Sequence, residues 1–387
     1  MKLVYKINTN LNPFYFYAII WILVLLLYKL EISKLYPKLS NDLIIFLLIS
    51  LFLYIIAGIV FKKKFKGKLI KNEIIKKRFL KIYILIIFLW IINFIYVGAI
   101  PLFEILKKSN FSYKNFKGIK TIYVFLVTYT NYLSIYSFYN YLLCKRKINL
   151  IFSIIGVFIY LLVYSRSGIL FLLMNYFIIF LILNKKIKNY IIIGIIGGIT
   201  LYSFGILGNI RHYYKWNDTS MIKKISKIEI YQNNFDPFIW SYVYITSPLG
   251  NLQYNINYSR PSYNIKKFIS ENLLLDAINK RISDGKTPVK LMVENLTVST
   301  MYISSYLTLG MHGMYIISLL YLSFNIIYIF ITKNSNIFLV GISLLCVLNI
   351  FSIFDNSYIF SGFSFSLIYP LANIFIKYIK KFSIKRK

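Results

Sequence analysis

Two cysteines, two histidines and twelve acidic residues are all that this 387-residue chain offers for metal, redox or acid-base chemistry. Cys144 ends one apolar run and Cys346 lies inside another, so neither a disulfide framework nor a cysteine metal site is expected. No histidine pair stands at helical spacing, no two aspartates alternate, and the acids are too scattered to name a ligand set. No metal and no cofactor is expected. The glycine loops that cradle nucleotide phosphates are missing as well.

What the chain has in excess is apolar surface. Hydrophobic residues make up 58% and aromatics 19%, and the mean hydropathy is +0.64, too high and too continuous for a soluble core. Apolar runs long enough for a bilayer core of about 30 Å recur along nearly the whole length. Ten are expected, over 14–28, 43–61, 82–100, 121–143, 148–164, 168–183, 190–208, 311–331, 337–354 and 359–379. The reading is an all-α polytopic membrane protein. Residues 1–208 hold seven spans, 209–295 form one large outer (periplasmic or extracellular) loop domain, and 296–387 hold a re-entry segment and three more spans. The first span has no cleavage site of small residues before it and reads as retained.

A net charge of +34 would suggest nucleic acid in a soluble chain, but here the cations sit between spans. With the N-terminus inside, inner segments carry 25 lysines and arginines and the short outer loops 9. Reversing the chain would put the ten-charge loop 62–81 outside. Both termini are therefore expected on the inner, cytoplasmic side of the membrane. The remaining 12 cations and 7 of the acids fall in 209–295. That segment should fold as a cap, with helical runs over 222–231 and 265–281 and turns at Ser247-Pro248-Leu249-Gly250 and Arg260-Pro261.

Arg166 opposes the inside-positive bias, because Ser165-Arg166-Ser167 reads as a tight outward turn. Snorkelling explains many arginines at span edges. A planar fork beside Ser165, Ser167 and Gly168, at the start of the next helix, also suits phosphate oxygens. Arg211 and His212 follow the seventh span, in which Gly194 and Gly198 fit close helix packing. Arg260 and Arg281 lie in the long segment, where solvated charge is the plain alternative. His312 opens the eighth span and is a possible general base, although a single histidine at a helix start is more often structural. Asp355 and Asn356 form a short turn after the ninth. No span core as drawn holds Asp, Glu, Lys or Arg, which counts against an ion-coupled transporter.

Several patches resemble the bacterial oligosaccharide repeat-unit polymerases, the Wzy-type O-antigen and capsule polymerases. They are Gly98-Ala99-Ile100-Pro101-Leu102-Phe103, Ser165-Arg166-Ser167-Gly168, Gly208-Asn209-Ile210-Arg211, the run from Tyr244 to Leu252, and the run from Asn295 through Tyr306 to Gly313. The resemblance implies a GT-C-like membrane fold that joins glycan repeat units carried on undecaprenyl pyrophosphate, with donor, acceptor and a chain-length regulator as partners. By position it gives Arg166 and Arg211 to the pyrophosphate.

An activated sugar diphosphate needs its leaving group stabilised and a proton removed from the acceptor hydroxyl. Arg166 and Arg211 would grip the pyrophosphate and Arg260 or Arg281 would close from the loop. His312 would be the base, with Asp236 its rival. Trp240, Tyr242 and Tyr244 could stack on sugar rings. An O-antigen ligase, a flippase for the lipid-linked oligosaccharide and a GT-C enzyme adding single sugars are the competing expectations.

Overall fold

The computed structural model describes residues 5–6, 8–64, 68–69, 77–107, 116–184, 186–216, 221–229, 236–282, 285, 287–333, 335 and 337–375. Helices dominate: α1 Pro13–Lys29, α2 Asn41–Lys64, α3 Lys77–Val97, α4 Pro101–Leu106, α5 Ile122–Cys144, α6 Lys147–Leu162, α7 Arg166–Leu183 and α8 Ile187–Trp216. There follow α9 Met221–Ser226, α10 Asp236–Tyr258, α11 Ile265–Asn272, α12 Asp276–Ile282, α13 Ile303–Thr332, α14 Phe338–Phe351 and α15 Ser361–Ser364. Beyond α15 the chain passes through a 3-10 turn, Phe365–Leu367, into helical residues 368–375. Among the described residues, β pairing is confined to Tyr5–Lys6 against Lys68–Leu69, antiparallel. It sets the N-terminal segment beside the loop that joins α2 to α3.

Among the described residues, four helices are long and apolar enough to cross a membrane: α2, α3, α7 and α13. Shorter apolar helices accompany them, among them α1, α6, α14 and the stretch Gly194–Ser203 of α8. The local signals are plain. Asn12 caps α1 by accepting from Tyr15 N at 3.1 Å, with Pro13 preset for the first turn. Gly98, at φ +71°, stops α3, and Pro101 starts α4. Along α2, Leu43, Phe46, Leu47, Leu51 and Tyr54 are buried while Ile45, Leu48, Ile49, Phe52 and Ile56 are exposed. A helix apolar on both its inner and outer faces suits lipid, and water would disfavour it.

Side-chain bonds fix the helix directions. Tyr83 and Trp90 of α3 donate to the Leu133 carbonyl (2.7 Å) and Thr130 hydroxyl (3.0 Å) of α5, which makes the two antiparallel. On α14, Asn349 donates to the Pro13 carbonyl at 3.0 Å, and the Trp21 indole donates to Ser352 at 2.9 Å, so α1 and α14 run the same way. Since α6 returns between α5 and α7, the N-termini of α5 and α7 share one end of the bundle. The C-terminal end of α3 lies there too.

The 30 residues of α13 are two helices. Gly310 takes φ +63° and ψ −151°, a conformation open to glycine alone, and Leu309 is also non-helical. The chain reverses so sharply that a Cβ on Gly313 would lie 2.3 Å from the Ser305 carbonyl oxygen. The long apolar helix therefore runs from Met311, where the hydropathy places its start. The short turn before it leads back to Tyr302, whose hydroxyl meets that of Tyr17, itself bonded to Ser50 in the middle of α2.

The 209–295 segment is woven into the bundle. Its helix α10 is buried over most of its length and packs on α8 and α1. A Cβ on Gly205 would stand 1.9 Å from the Pro237 carbonyl oxygen, so this glycine lets α8 and α10 meet. The expected contact glycines do not serve: nothing lies within 4 Å of a Cβ on Gly194 or Gly198. Likewise Ser247–Gly250 is no turn but the interior of α10, with Pro248 inside the helix. The break at Arg260-Pro261 is real, whereas 265–281 splits into α11 and α12.

One turn apart on α10, Asn251 and Asn255 hold the extended segment 287–300. Asn255 donates to the Lys290 carbonyl (2.7 Å) and accepts from Lys290 N (3.1 Å). Asn251 accepts from Met292 N (3.0 Å) and donates to the carbonyls of Leu296 (2.7 Å) and Val298 (2.8 Å). Two amides thus satisfy backbone that no strand or helix pairs. Asn251→Leu keeps the bulk and strands three backbone groups. It should cost about 3 kcal/mol, at roughly 1–3 kcal/mol per unsatisfied buried group. A lower midpoint of thermal unfolding, with faster proteolysis in 287–300, is the expected reading.

Candidate functional site

The head of α7 is built by its cap. Ser165, extended, accepts from Gly168 N at 3.3 Å, and Tyr164 before it turns the chain at φ +58°. Gly168 admits the Tyr160 ring, 2.4 Å from where a Cβ would be. The Tyr160 hydroxyl donates to Asn131 at 2.6 Å, and the Asn131 amide donates to the Gly362 carbonyl at 3.1 Å. This chain of contacts ties α5, α6, α7 and α15 together beneath Arg166. Arg166 is the first residue of α7, exposed, with no hydrogen-bond or ion-pair partner among the described residues.

Arg281 reaches the same end from α12. That helix is docked by Asp276, whose backbone N–H donates to the Ile359 carbonyl at 2.8 Å. The Asp276 carboxylate accepts from Ser361 N at 2.8 Å and from the Ser361 hydroxyl. So placed, the Arg281 guanidinium donates to Thr121, the cap residue of α5, at 2.9 Å. Two helix heads with positive ends, each accompanied by a guanidinium, suit oxyanions carrying more than one charge.

The other candidates fall elsewhere. Ser262 N and Asn264 N donate to the carbonyls of Leu307 (2.9 Å) and Thr308 (3.0 Å), which lays the segment after Arg260 along the break in α13. Arg260 and His312 are both exposed beside that break. The structure therefore puts Arg166 and Arg281 at the end shared by the heads of α5 and α7, and Arg260 and His312 beside the break in α13. The side chains of Arg211, His212 and Asp236 lie outside the described residues; by backbone, the first two belong to α8, which continues to Trp216, and Asp236 opens α10. A small void lined by Tyr83, Thr130, Ser134 and Gly156 lies between α3, α5 and α6.

The aromatic residues expected at sugar rings are packing residues. Trp240 is buried with Ile222 and Val243 and donates to Asn209 at 2.6 Å, and Tyr242 stacks on Tyr36 at 6.3 Å. Burial pushes the Tyr36 and Tyr242 hydroxyls above the usual phenol range. No group of three or more His, Cys, Asp or Glu able to hold a metal occurs among the described residues.

Sequence reasoning passed over Glu271 as one of seven scattered acids. It is 1% exposed, and its Oε1 accepts from Thr287 N (2.9 Å) and the Thr287 hydroxyl (2.7 Å). Its other oxygen has no partner. A helical run with Phe268, Glu271 and Asn272 buried between exposed lysines was the available sign, and it is faint.

In comparisons with known proteins, no family model matches the chain, and neither a curated protein nor a solved structure matches it. The class of protein rests on the fold itself, a helical chain with several helices suited to a membrane.

Cysteine placed singly at Arg166 and at Arg281 should react with a membrane-impermeant maleimide from the same side of sealed vesicles. Labelling from opposite sides would contradict the shared end of α5 and α7.

Proposed function

We propose that this chain is a polysaccharide polymerase that joins undecaprenyl-pyrophosphate-linked oligosaccharide repeat units at the outer face of the bacterial cytoplasmic membrane. The observation that carries the reading is that Arg166, at the head of α7, and Arg281, bonded at the head of α5, stand at the same end of the bundle. The resemblance of the Ser165-Arg166-Ser167-Gly168 patch and its companions to Wzy-type polymerases supports it. In this reading the chain crosses the membrane ten times with both termini inside. The pairing of Tyr5–Lys6 with Lys68–Leu69 favours that orientation, since it sets the N-terminal segment beside the ten-charge loop.

The chemistry is a glycosyl transfer. An acceptor hydroxyl oxygen forms a bond to the anomeric carbon of the donor, the bond from that carbon to the diphosphate oxygen breaks, and its electron pair leaves with the lipid diphosphate. The guanidiniums of Arg166 and Arg281 and the two helix heads stabilise the charge that grows on the leaving group. The acceptor proton passes to a base, for which His312 and Asp236 stand as the sequence-derived choices. Arg211 and Arg260 are further donor contacts in this reading.

An O-antigen ligase fits the same leaving group. The second reading from another class is a flippase for the lipid-linked oligosaccharide, and Glu271 favours it: a buried carboxylate beside an apolar helix is typical of ion or substrate pathways. The deletion phenotype separates the three. Loss of a polymerase leaves single repeat units on the cell surface, loss of a ligase leaves polymer on the lipid carrier, and loss of a flippase traps single units inside.

Arg166→Ala should abolish long glycan on a gel while the protein stays in the membrane, with a fall of about 100-fold or more in transfer rate, the usual effect of losing one oxyanion donor. Arg166→Lys should recover little, because the ammonium lacks the planar fork. A full ladder of chain lengths in Arg166→Ala cells would overturn the assignment.

A further inference from the structure

The C-terminal end of α11 gathers oxygen acceptors and has no donors left to give them. Glu271 Oε2, Asn272 Oδ1 and Asn356 Oδ1 are each buried without a hydrogen-bond partner, in residues 1%, 0% and 3% exposed. The donors around them are committed. The Asn272 amide donates to the Phe268 carbonyl at 3.0 Å and lies 3.5 Å from the Thr308 hydroxyl. The Asn356 amide (3.2 Å) and the Tyr321 hydroxyl (2.6 Å) both donate to the Asn272 carbonyl. That carbonyl closes α11, so the negative end of the helix dipole lies here too.

The place is also enclosed. Tyr321 stands about 15 Å along α13 from the break at Gly310, at a rise of 1.5 Å per residue, near the middle of a helix long and apolar enough to cross a membrane. No cationic side chain forms an ion pair with Glu271 among the described residues, whose ion pairs include Lys34 with Glu229 and Lys280 with Asp276. Oxygen acceptors buried this way gain from any positive charge brought beside them. A ligand bearing hydroxyls or amides would bring acceptors along with its donors, whereas a bare cation brings only the positive charge that three oxygen acceptors and a helix C-terminus attract. One buried carboxylate with neutral amide oxygens matches a single positive charge better than a divalent ion, which draws on more carboxylates.

We propose that the end of α11 binds a monovalent alkali cation through Glu271, Asn272 and Asn356. Asp355, exposed on the same loop and accepting from Asn356 N at 2.6 Å, marks the side from which the ion arrives. The inference goes beyond the polymerase reading and stands or falls apart from it.

The test uses the purified full chain in lipid nanodiscs at fixed pH, comparing thermal unfolding in sodium or potassium chloride with choline chloride of equal ionic strength. Sodium or potassium should raise the midpoint in a saturable way, and Glu271→Gln should remove the rise. Asn356→Asp should lower the half-saturating concentration about tenfold, since ligand charge tunes cation affinity, and it decides the matter should Glu271→Gln fail to fold. Equal midpoints in choline, a cation effect that survives Glu271→Gln, or a response confined to magnesium or calcium would overturn the proposal. So would stabilisation by acid alone, which would mean a protonated carboxyl.

Discussion

Backbone that leaves helical geometry away from water must still have every N–H and C=O paired, and this bundle meets that demand largely with asparagine. Asn251 and Asn255 hold 287–300, Asn131 holds Gly362, Asn349 holds Pro13, and Asn93 accepts from Ile119 N at 3.0 Å. Each amide both donates and accepts, so it can stand in for a neighbouring strand. The irregular segments that shape one end of the molecule rest on these contacts. Without them the segment that leads into α13 and the short turn of α15 would have no fixed position.

Both functional readings inherit their geometry from that arrangement. The Asn131 amide fixes the turn at Gly362, and Tyr160, bonded to the same side chain, lies under Gly168. Through Ser361 the α15 turn anchors α12, and α12 carries Arg281 to the head of α5. A rigid scaffold therefore presents two guanidiniums at one end, while Arg260 and His312 lie beside the break in α13.

Much of the helical architecture was legible because apolar runs leave little choice. The stops at Gly98 and Arg260-Pro261, the break before Met311 and the helix head at Arg166 follow from backbone chemistry that a sequence displays directly. What was hidden depended on partners. The stretch Asn251-Leu252-Gln253-Tyr254-Asn255 looks polar enough for a surface, yet it is mostly buried because its amides bond a segment some forty positions later. Gly205 does what Gly194 and Gly198 were expected to do, because contact depends on which face α10 meets. Glu271 was hard to see for the same reason: its own stretch of chain carries only a faint sign that Thr287 and α13 enclose it.

The asparagine pair on α10 also has a bearing on biosynthesis. Asn251 and Asn255 precede the stretch they bind, so a ribosome releases the template before the piece that docks on it. Domains fold in the order they emerge, and here α10 can be seated against α1 and α8 before residues 287–300 arrive. The latecomer then finds its bonding partners already in place, and its bare amides and carbonyls need not wait in lipid for a mate.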